Sequence, residues 1–522
     1  MFVDNVILGA GPAGIQLAYY FQQAGIPYVV LEKSGCSASF FAKFPHSKQL
    51  ISLNKTHTGE TDPDFNLRHD WNSLLSDEPC LFSEFSDALY PSSNDLFVYL
   101  NEFVRRFSLN IVYNTLVEAI EKTEQGTFVL RTGENQTYTC ARLVVASGLS
   151  LPHYPENIEC PPSVKHYGDY PNGHFVAPET MAQYNNKKVL LIGGGNASYE
   201  LANLIDKHCS TVLILGSQKK LSIVSHYVGD IRSIYYPFLD SFYLKSLNGV
   251  DTFHKDTRLK ITQVPDAGTF KVRMAHTLDN YYKSEKLTTF DEVILCTGWK
   301  FDKSLFHFDV ATTLGGKFPE ITEQYESTSC SNLFFVGSLM HSRDYKKGSG
   351  GFIHGFRYLL KLFVQLHYKV PFVTKTFPFN GTMDCYNELA THIFRRINYA
   401  SSIYQLYGVM CDVFYFDSDK RHIVYLHDVT KECLPHLPIQ ATHINLLFLE
   451  YGEQETLISK LGSFNKWNPS FLHPKLYICS FANKTPVVLD RVTFEEDLVA
   501  DFNTPQTYNK VYQSLKMCNL IL

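Results

Sequence analysis

No two of the twelve cysteines stand closer than Cys140 and Cys160, 20 residues apart. There is therefore no Cys-x-x-Cys or Cys-x4-Cys pair, which excludes the proximal dithiol of thioredoxin- and glutathione-type reductases and leaves no metal-ligand spacing. Charge is sparse and dispersed: 19% of residues are charged, the net charge is −5, and no long run of one sign occurs. That pattern offers no basic face to nucleic acid and no polybasic patch to a membrane. Apolar runs are too short to span a bilayer, and the first one starts within a few residues of Met1, leaving no room for a secretory leader. The chain ends Cys518-Asn519-Leu520-Ile521-Leu522, which is not an ER-retention tetrapeptide. These absences predict a cytoplasmic protein with no membrane span. Low-complexity tracts are missing too.

What is present is a chain of 522 residues, 45% of them apolar, long enough for two or three domains with substantial cores. Its most informative feature is a pair of glycine motifs. Gly9-Ala10-Gly11-Pro12-Ala13-Gly14 follows the apolar run Val6-Ile7-Leu8, and Gly193-Gly194-Gly195-Asn196-Ala197-Ser198 follows Val189-Leu190-Leu191-Ile192. Each reads as strand, tight turn, helix. The first glycine makes the turn, the second admits a pyrophosphate to bare backbone, and the small third residue lets helix close on strand. Two such units predict two bound dinucleotides.

The copies differ at the position that reads the ribose. Glu32 ends the strand Tyr28-Val29-Val30-Leu31, 23 residues beyond Gly9, where an acid takes ribose hydroxyls. The same step from Gly193 reaches Gly216, followed by Ser217, Gln218, Lys219 and Lys220. A carboxylate would repel a 2′-phosphate, whereas a hydroxyl and two ammonium groups suit one, so NADPH is expected over NADH. The lysines read equally well as a solvated turn. Leu143–Gly148 and Val293–Gly298 are apolar strands ending in small residue, hydroxyl and glycine, as expected where a chain crosses between two nucleotide domains. Leu333–Gly337 is a further buried strand. Gly350-Gly351-Phe352-Ile353-His354-Gly355 opens an amphipathic helix whose N-terminal dipole can face the electron-rich side of an isoalloxazine.

The expected architecture is α/β: two Rossmann-like dinucleotide-binding domains, the second inserted in the first, plus a C-terminal α+β region. The boundaries are 1–160 and 290–369 for FAD, 161–289 for NADPH, and 370–522 for the third region. A Pro-rich linker is expected from Val370-Pro371 to Phe377-Pro378-Phe379. A hairpin is predicted near Phe128–Leu130, another from Val413–Phe416 to His422–Leu426, strands over Ile444–Leu449 and Leu476–Ile478, and a terminal helix from about Tyr508.

Longer strings carry a family resemblance. Leu50-Ile51-Ser52-Leu53-Asn54-Lys55, Phe65–Leu75, Ser225–Asp230, Thr297-Gly298-Trp299 and Gly350–Tyr358 resemble the ER flavoproteins associated with degradation, also called FAD-dependent oxidoreductase domain-containing proteins. The likeness extends through Arg395-Arg396-Ile397-Asn398 and Phe471-Leu472-His473-Pro474. It implies a fold similar to flavin-containing monooxygenases, an FAD cofactor and, for animal members, an ER-lumenal role in degradation. Phe335-x-Gly337-x-x-x-His341-x-x-x-Tyr345 matches a monooxygenase fingerprint but lies after the second glycine motif rather than before it, so His341 is expected to be a loop residue.

The expected FAD contacts are Gly9, Gly11, Pro12, Ala13, Gly14, Glu32, Lys33, Val117, Gly148, Gly337 and Gly351. Those expected for NADPH are Gly193, Gly195, Asn196, Ala197, Ser198, Ser217, Lys219 and Lys220; no metal is expected. Hydride transfer from NADPH to FAD mainly requires positioning. Electrons then pass to oxygen, with monooxygenation or peroxide release, or to a small-molecule or protein acceptor. Asn54 resembles the monooxygenase asparagine whose amide lies near flavin and nicotinamide, and is a candidate catalytic residue; it reads equally as a turn asparagine. His354 is expected near the cofactor, Arg357 in a structural ion pair, and His69–Asp70 either as an acid–base pair or as a helix cap. The alternative function is an FAD-holding adaptor that engages partner proteins through 370–522.

Overall fold

The computed structural model describes residues 2–133, 136–217, 220–222, 225–253, 257–265, 267–275, 286–378, 383–417, 419, 421–452, 472–494 and 509. Lys219 lies outside this set, as does the expected terminal helix except at residue 509.

The first domain is built on β1 (Phe2–Leu8), whose Val6 and Ile7 are fully buried, as a strand covered on both faces requires. It runs parallel to β2 (Tyr28–Leu31) and to β6 (Thr137–Val145). With β3 (Ile111–Val112), β4 (Val117–Lys122) and β5 (Phe128–Thr132) the order is β3-β2-β1-β6-β5-β4, and β12 (Leu333–Phe335) returns to pair with β6. The β4–β5 hairpin contains the predicted Phe128–Leu130 strand. Helix α1 (Pro12–Gln23) starts on Pro12, whose missing N–H is no loss in a first turn, and buries Ala13, Ile15, Leu17 and Ala18. Helix α2 (Pro63–His69) is capped by the Asp62 carboxylate, which accepts from the amides of Asp64 and Phe65.

The second domain is a five-stranded parallel sheet. It comprises β7 (Lys165–His166), β8 (Lys188–Ile192), β9 (Thr211–Gly216), β10 (Gly249–Thr252) and β11 (Glu292–Leu295), ordered β10-β9-β8-β11-β7. Helix α3 (Asn196–Ile205) follows β8. A smaller sheet joins Ile158–Glu159 to Arg258–Gln263, Phe270–Ala275 and Lys286–Phe290. Two expected boundaries therefore move: Ile158–Glu159 already belongs here, and the chain leaves only after β11, because Val293–Leu295 bonds to β8 rather than to the first sheet. The outgoing and returning crossings pair with each other, Leu151–Pro152 against Trp299–Lys300.

Helix α4 (Ile353–His367) is buried on two sides. Leu360 and Phe363 join the core of the first domain, while Leu362 joins a core formed by the third region. That region contains α5 (Met383–Tyr399), α6 (Ser401–Gln405) and a six-stranded antiparallel sheet. Its strands are β13 (Thr374–Pro378), β14 (Met410–Asp417), β15 (His422–Thr430), β16 (His443–Tyr451), β17 (Leu472–Ser480) and β18 (Val487–Thr493), ordered β13-β15-β14-β16-β17-β18. The hairpin register matches the sequence pattern, Val413 facing Leu426 and Phe416 facing Ile423. The expected linker is a structural element instead: Thr374–Pro378 is the edge strand on β15, where Pro378 costs no interior ladder bond. Ile393, Phe394, Ile397, Phe414 and Leu447 extend the first domain's core into this region.

Candidate functional site

The first glycine turn leaves one face open. Gly9 has φ +105°, and a Cβ there would stand 3.1 Å from the Ala146 carbonyl oxygen. A Cβ on Gly14 would come within 2.0 Å of the Gly9 oxygen, so α1 can close on β1 only with glycine here. At Gly11 a Cβ would meet nothing within 4 Å. No side chain caps the N-terminus of α1 and no acid sits in its first turn, so its amides face that space with the positive end of the helix dipole. Buried Glu32 is fixed at the end of β2, its two oxygens accepting from Ala10 N (2.8 Å) and Ser34 N (2.9 Å), with further lone pairs for ribose hydroxyls. The geometry fits an FAD pyrophosphate and ribose. Ala13 packs beneath Gly337, where a Cβ would lie 2.4 Å from the Ala13 methyl. Gly148, with φ +68°, stands beside Ser338. Val117 is buried at the start of β4, and Lys33 is exposed.

The second turn is tighter. A Cβ on Gly193 (φ +134°) would lie 2.2 Å from the Cys296 carbonyl oxygen, and one on Gly216 would lie 2.2 Å from Gly194 N. The missing acid thus has a steric cause: position 216 has no room for a side chain. Helix α3 begins at Gly195 with neither a side-chain cap nor a first-turn acid. Ser198 is buried and donates to the Gly193 carbonyl, while Ala197 packs on the second core. Asn196 faces the neighbouring loop, donating to the carbonyls of Gly229 (3.4 Å) and Asp230 (3.0 Å) and accepting from Arg232 N (2.9 Å). Ser217 and Lys220 are exposed. Beside the turn lies a cavity of about 260 Å³ bounded by Gly194, Gly216, Ser217, Tyr243, Asp251 and Thr252.

Several polar residues have roles other than those expected. Asn54 is buried, and both its amide hydrogens are engaged by carbonyls, Ser86 (2.8 Å) and Ala88 (3.2 Å), so it anchors a loop and has no donor left for a cofactor. Arg357 is fully buried without a carboxylate partner among the described residues; it donates to the carbonyls of Ser73 (2.7 Å) and Leu67 (2.8 Å) and ties α4 to the end of α2. His69 and Asp70 do not pair: Asp70 accepts from the amides of Asn72 and Ser73, both at 2.9 Å. His354 lies in the first turn of α4, stacked on Trp71 at 4.4 Å, with Nε2 unpartnered. Burial, then the charges of Arg357 and Arg232, hold its pKa well below the usual histidine value, so it is neutral.

His341 is not a loop residue. It is buried in a short helical stretch, Gly337–Ser342, that begins at the first cradle. Its Nδ1 meets Asp344 Oδ1 at 2.8 Å and its Nε2 meets Tyr227 Oη at 2.7 Å. A Cβ on Gly351 would lie 2.5 Å from the His341 Cβ, so that glycine seats the ring against the turn leading into α4. The sequence signal for Asp344 was its position three residues after His341; Tyr227 lay within the Ser225–Asp230 string of the family resemblance, but nothing local paired it with His341, since it comes from the other domain.

A second missed cluster joins the domains. Glu200, buried on α3, accepts from Ser47 N (2.8 Å) and from Tyr167 Oη (3.0 Å). Burial raises its pKa, against the lowering effect of those donors. The third region reaches the same interface: Tyr407 Oη donates to the His226 carbonyl (2.6 Å), and Tyr451 stacks on the His226 ring. No helix among the described residues is long and apolar enough to cross a membrane, and no three metal-ligating side chains cluster there.

Known proteins share these features. The profile of the pyridine nucleotide-disulphide oxidoreductase family matches residues 6–337. FAD-dependent oxidoreductase domain-containing protein 2 of Mus musculus is 33% identical over 519 residues, 91% of this chain and 76% of that one. Its counterpart in Danio rerio is 30% identical, over 91% of this chain and 75% of that one. Among solved structures, a flavin-containing monooxygenase from Stenotrophomonas maltophilia shares the fold over 70% of this chain and 98% of its own, with TM-score 0.50 and 17% identity.

Proposed function

The chain belongs to the pyridine nucleotide-disulphide oxidoreductase family, alongside the FAD-dependent oxidoreductase domain-containing proteins, and from that premise we propose that it takes hydride from NADPH and passes two electrons to oxygen or another acceptor. The observation carrying this reading is the pair of glycine turns, each opening onto an uncapped helix N-terminus in its own parallel sheet. FAD in the first turn supplies two-electron storage. Gly11 and the first amides of α1 hold its pyrophosphate, Glu32 its ribose, and the start of α4 faces the ring. NADPH occupies the second turn, with the amides of α3 on its pyrophosphate and Ser217 and Lys220 beside the 2′-phosphate. Asp251 in the neighbouring cavity pulls the other way, toward unphosphorylated ribose. With no Cys-x-x-Cys or Cys-x4-Cys pair in the sequence, this reading passes the electrons to an external acceptor.

An anaerobic NADPH titration of the purified flavoprotein tests the reading: stoichiometric bleaching of the visible flavin band supports it. Bound flavin that NADPH never bleaches rules it out and leaves the adaptor reading. That second reading draws on Val487, Val488 and Leu489, exposed on edge strand β18 by 59%, 46% and 58%, which offer apolar surface for a partner protein.

A further inference from the structure

Each turnover of the proposed reaction is one proton short. NADPH contributes a hydride, whereas any two-electron acceptor of this kind takes two protons: NADPH + H⁺ + O₂ → NADP⁺ + H₂O₂, and a disulfide reduced to two thiols has the same balance. We infer that Tyr227, positioned by His341 and Asp344, delivers this proton to the acceptor, an inference that rests on the oxidoreductase reading above.

The three groups form a chain across the domain boundary. Asp344 is buried and fixed at both ends, Oδ2 accepting from Gly350 N (2.7 Å) and Oδ1 lying 2.8 Å from His341 Nδ1. A carboxylate there assigns a proton to Nδ1. The 2.7 Å contact from Nε2 to Tyr227 Oη is then either N–H···O or O–H···N, two states that differ by one transmissible proton. In the charged state the imidazolium sits between carboxylate and phenol. As the Tyr227 Oη–H bond breaks toward the acceptor's oxygen or sulfur, the Nε2–H proton moves onto Oη. Tyr227 ends as a phenol, His341 as a neutral imidazole still held by Asp344, and solvent returns the proton. The acceptor gains one proton and the relay loses one positive charge.

Four observations indicate a built device. Tyr227 comes from the second domain, His341 and Asp344 from the first, so the chain is complete only when the domains are apposed. The loop carrying Tyr227 is fixed from three sides: Asn196 holds Gly229 and Asp230, Tyr407 of the third region holds His226, and Gly229 clears the phenol ring, which a Cβ there would approach to 2.5 Å. Tyr227 is half-buried, and its Oη meets His341. His341, for its part, rests on Gly351 at the entrance to α4, the helix whose start faces the expected flavin ring.

The test uses stopped-flow spectroscopy on the FAD-loaded protein and its Tyr227→Phe variant, which keeps the ring and removes the hydroxyl. After anaerobic reduction by NADPH, mixing with oxygenated buffer should show the variant reoxidising about 10²-fold more slowly, the scale of a lost general acid, without the solvent deuterium isotope effect of the parent. Equal rates with the isotope effect retained overturn the relay. Should NADPH fail to reduce the flavin, the oxidoreductase reading falls; reduction by dithionite still allows the same comparison, so the two failures are distinguishable. A readout free of turnover comes from proton NMR of the unreduced protein. A low-field Nδ1–H resonance should be present in parent and Tyr227→Phe and be lost in Asp344→Asn. Its absence from the parent also overturns the relay.

Discussion

Restoring an acid at residue 216 should damage this protein rather than convert it to NADH. In a two-dinucleotide fold, an absent carboxylate at the end of the second strand is ordinarily read through charge. Here packing precedes charge. A Cβ at 216 would lie 2.2 Å from Gly194 N and 2.7 Å from Gly193 C, against an ordinary contact of at least 3.4 Å, so the turn would have to withdraw by about 1.2 Å (3.4 − 2.2). It has nowhere to go, because Gly193 already closes on the Cys296 carbonyl. Overpacking costs about 1–3 kcal/mol, and with backbone on both sides the upper end applies. Because 1.4 kcal/mol is tenfold, distorting the turn by that amount removes about 10²-fold in nucleotide affinity, for NADPH and NADH alike. Gly216→Glu is therefore expected to lose both nucleotides in a fluorescence titration and to melt at lower temperature. Ser217→Glu is the control: its side chain is exposed, so melting should hold while affinity for NADPH alone falls. A Gly216→Glu protein that melts like the parent and gains affinity for NADH would refute the steric argument.

Two further outcomes concern buried charge. Glu200 has a raised pKa, so its contribution favours the fold below the unfolded carboxylate value and is lost as pH rises through the folded one. Glu200→Gln should thus melt higher than the parent at pH 8 and show a smaller gain on acidification to pH 5, and a variant whose pH profile overlays the parent's would contradict this. In the third region Arg396 bonds Asp412 through two nitrogens (2.6 and 2.9 Å) and also Asp428. Arg396→Met strands buried Asp412 and half-buried Asp428 and should cost about 3 kcal/mol in urea unfolding. Burial pushes the Asp428 carboxyl up, but Arg396 and Ser402 outweigh it and hold its pKa below the usual value. The parent should accordingly lose stability as pH falls through that lowered value, a slope that the variant lacks.

The backbone plan was legible in the sequence because it is local. Strand, glycine turn and helix follow each other within about twenty residues at both cradles, and the hairpin from β14 to β15 announces itself by alternation around a polar turn. The parts that escaped were settled by contacts between distant segments. Val293–Leu295 reads as an apolar strand, but which sheet accepts it depends on β8, about a hundred residues earlier. Thr374–Pro378 has the composition of a linker and becomes a strand only because β15 offers an unpaired edge. Asn54 resembles a catalytic amide until the loop at Ser86–Leu89 folds across it. His341 looked misplaced within its fingerprint, since the phenol that gives it a partner arrives from another domain.

These long-range contacts together fix how the two nucleotide domains face each other. Swinging the second domain would break the Lys43 Nζ bond to the Gly168 carbonyl (2.8 Å) and strip Glu200 of its Ser47 donor (2.8 Å). It would also part Tyr227 from His341 and pull His226 from beneath Tyr407 and Tyr451. The Glu200 contact matters most, since a buried carboxyl that loses a donor bears its desolvation cost without return. Tyr407 and Tyr451 belong to a region with no nucleotide motif of its own, whose core is continuous with the first domain. That region therefore acts as a brace: it shares a core with the first domain and grips the loop of the second domain that carries Tyr227. On the proposed reading this apposition is the arrangement in which hydride would pass between the two cofactors, and the acceptor would reach the reduced one through whatever opening the brace leaves.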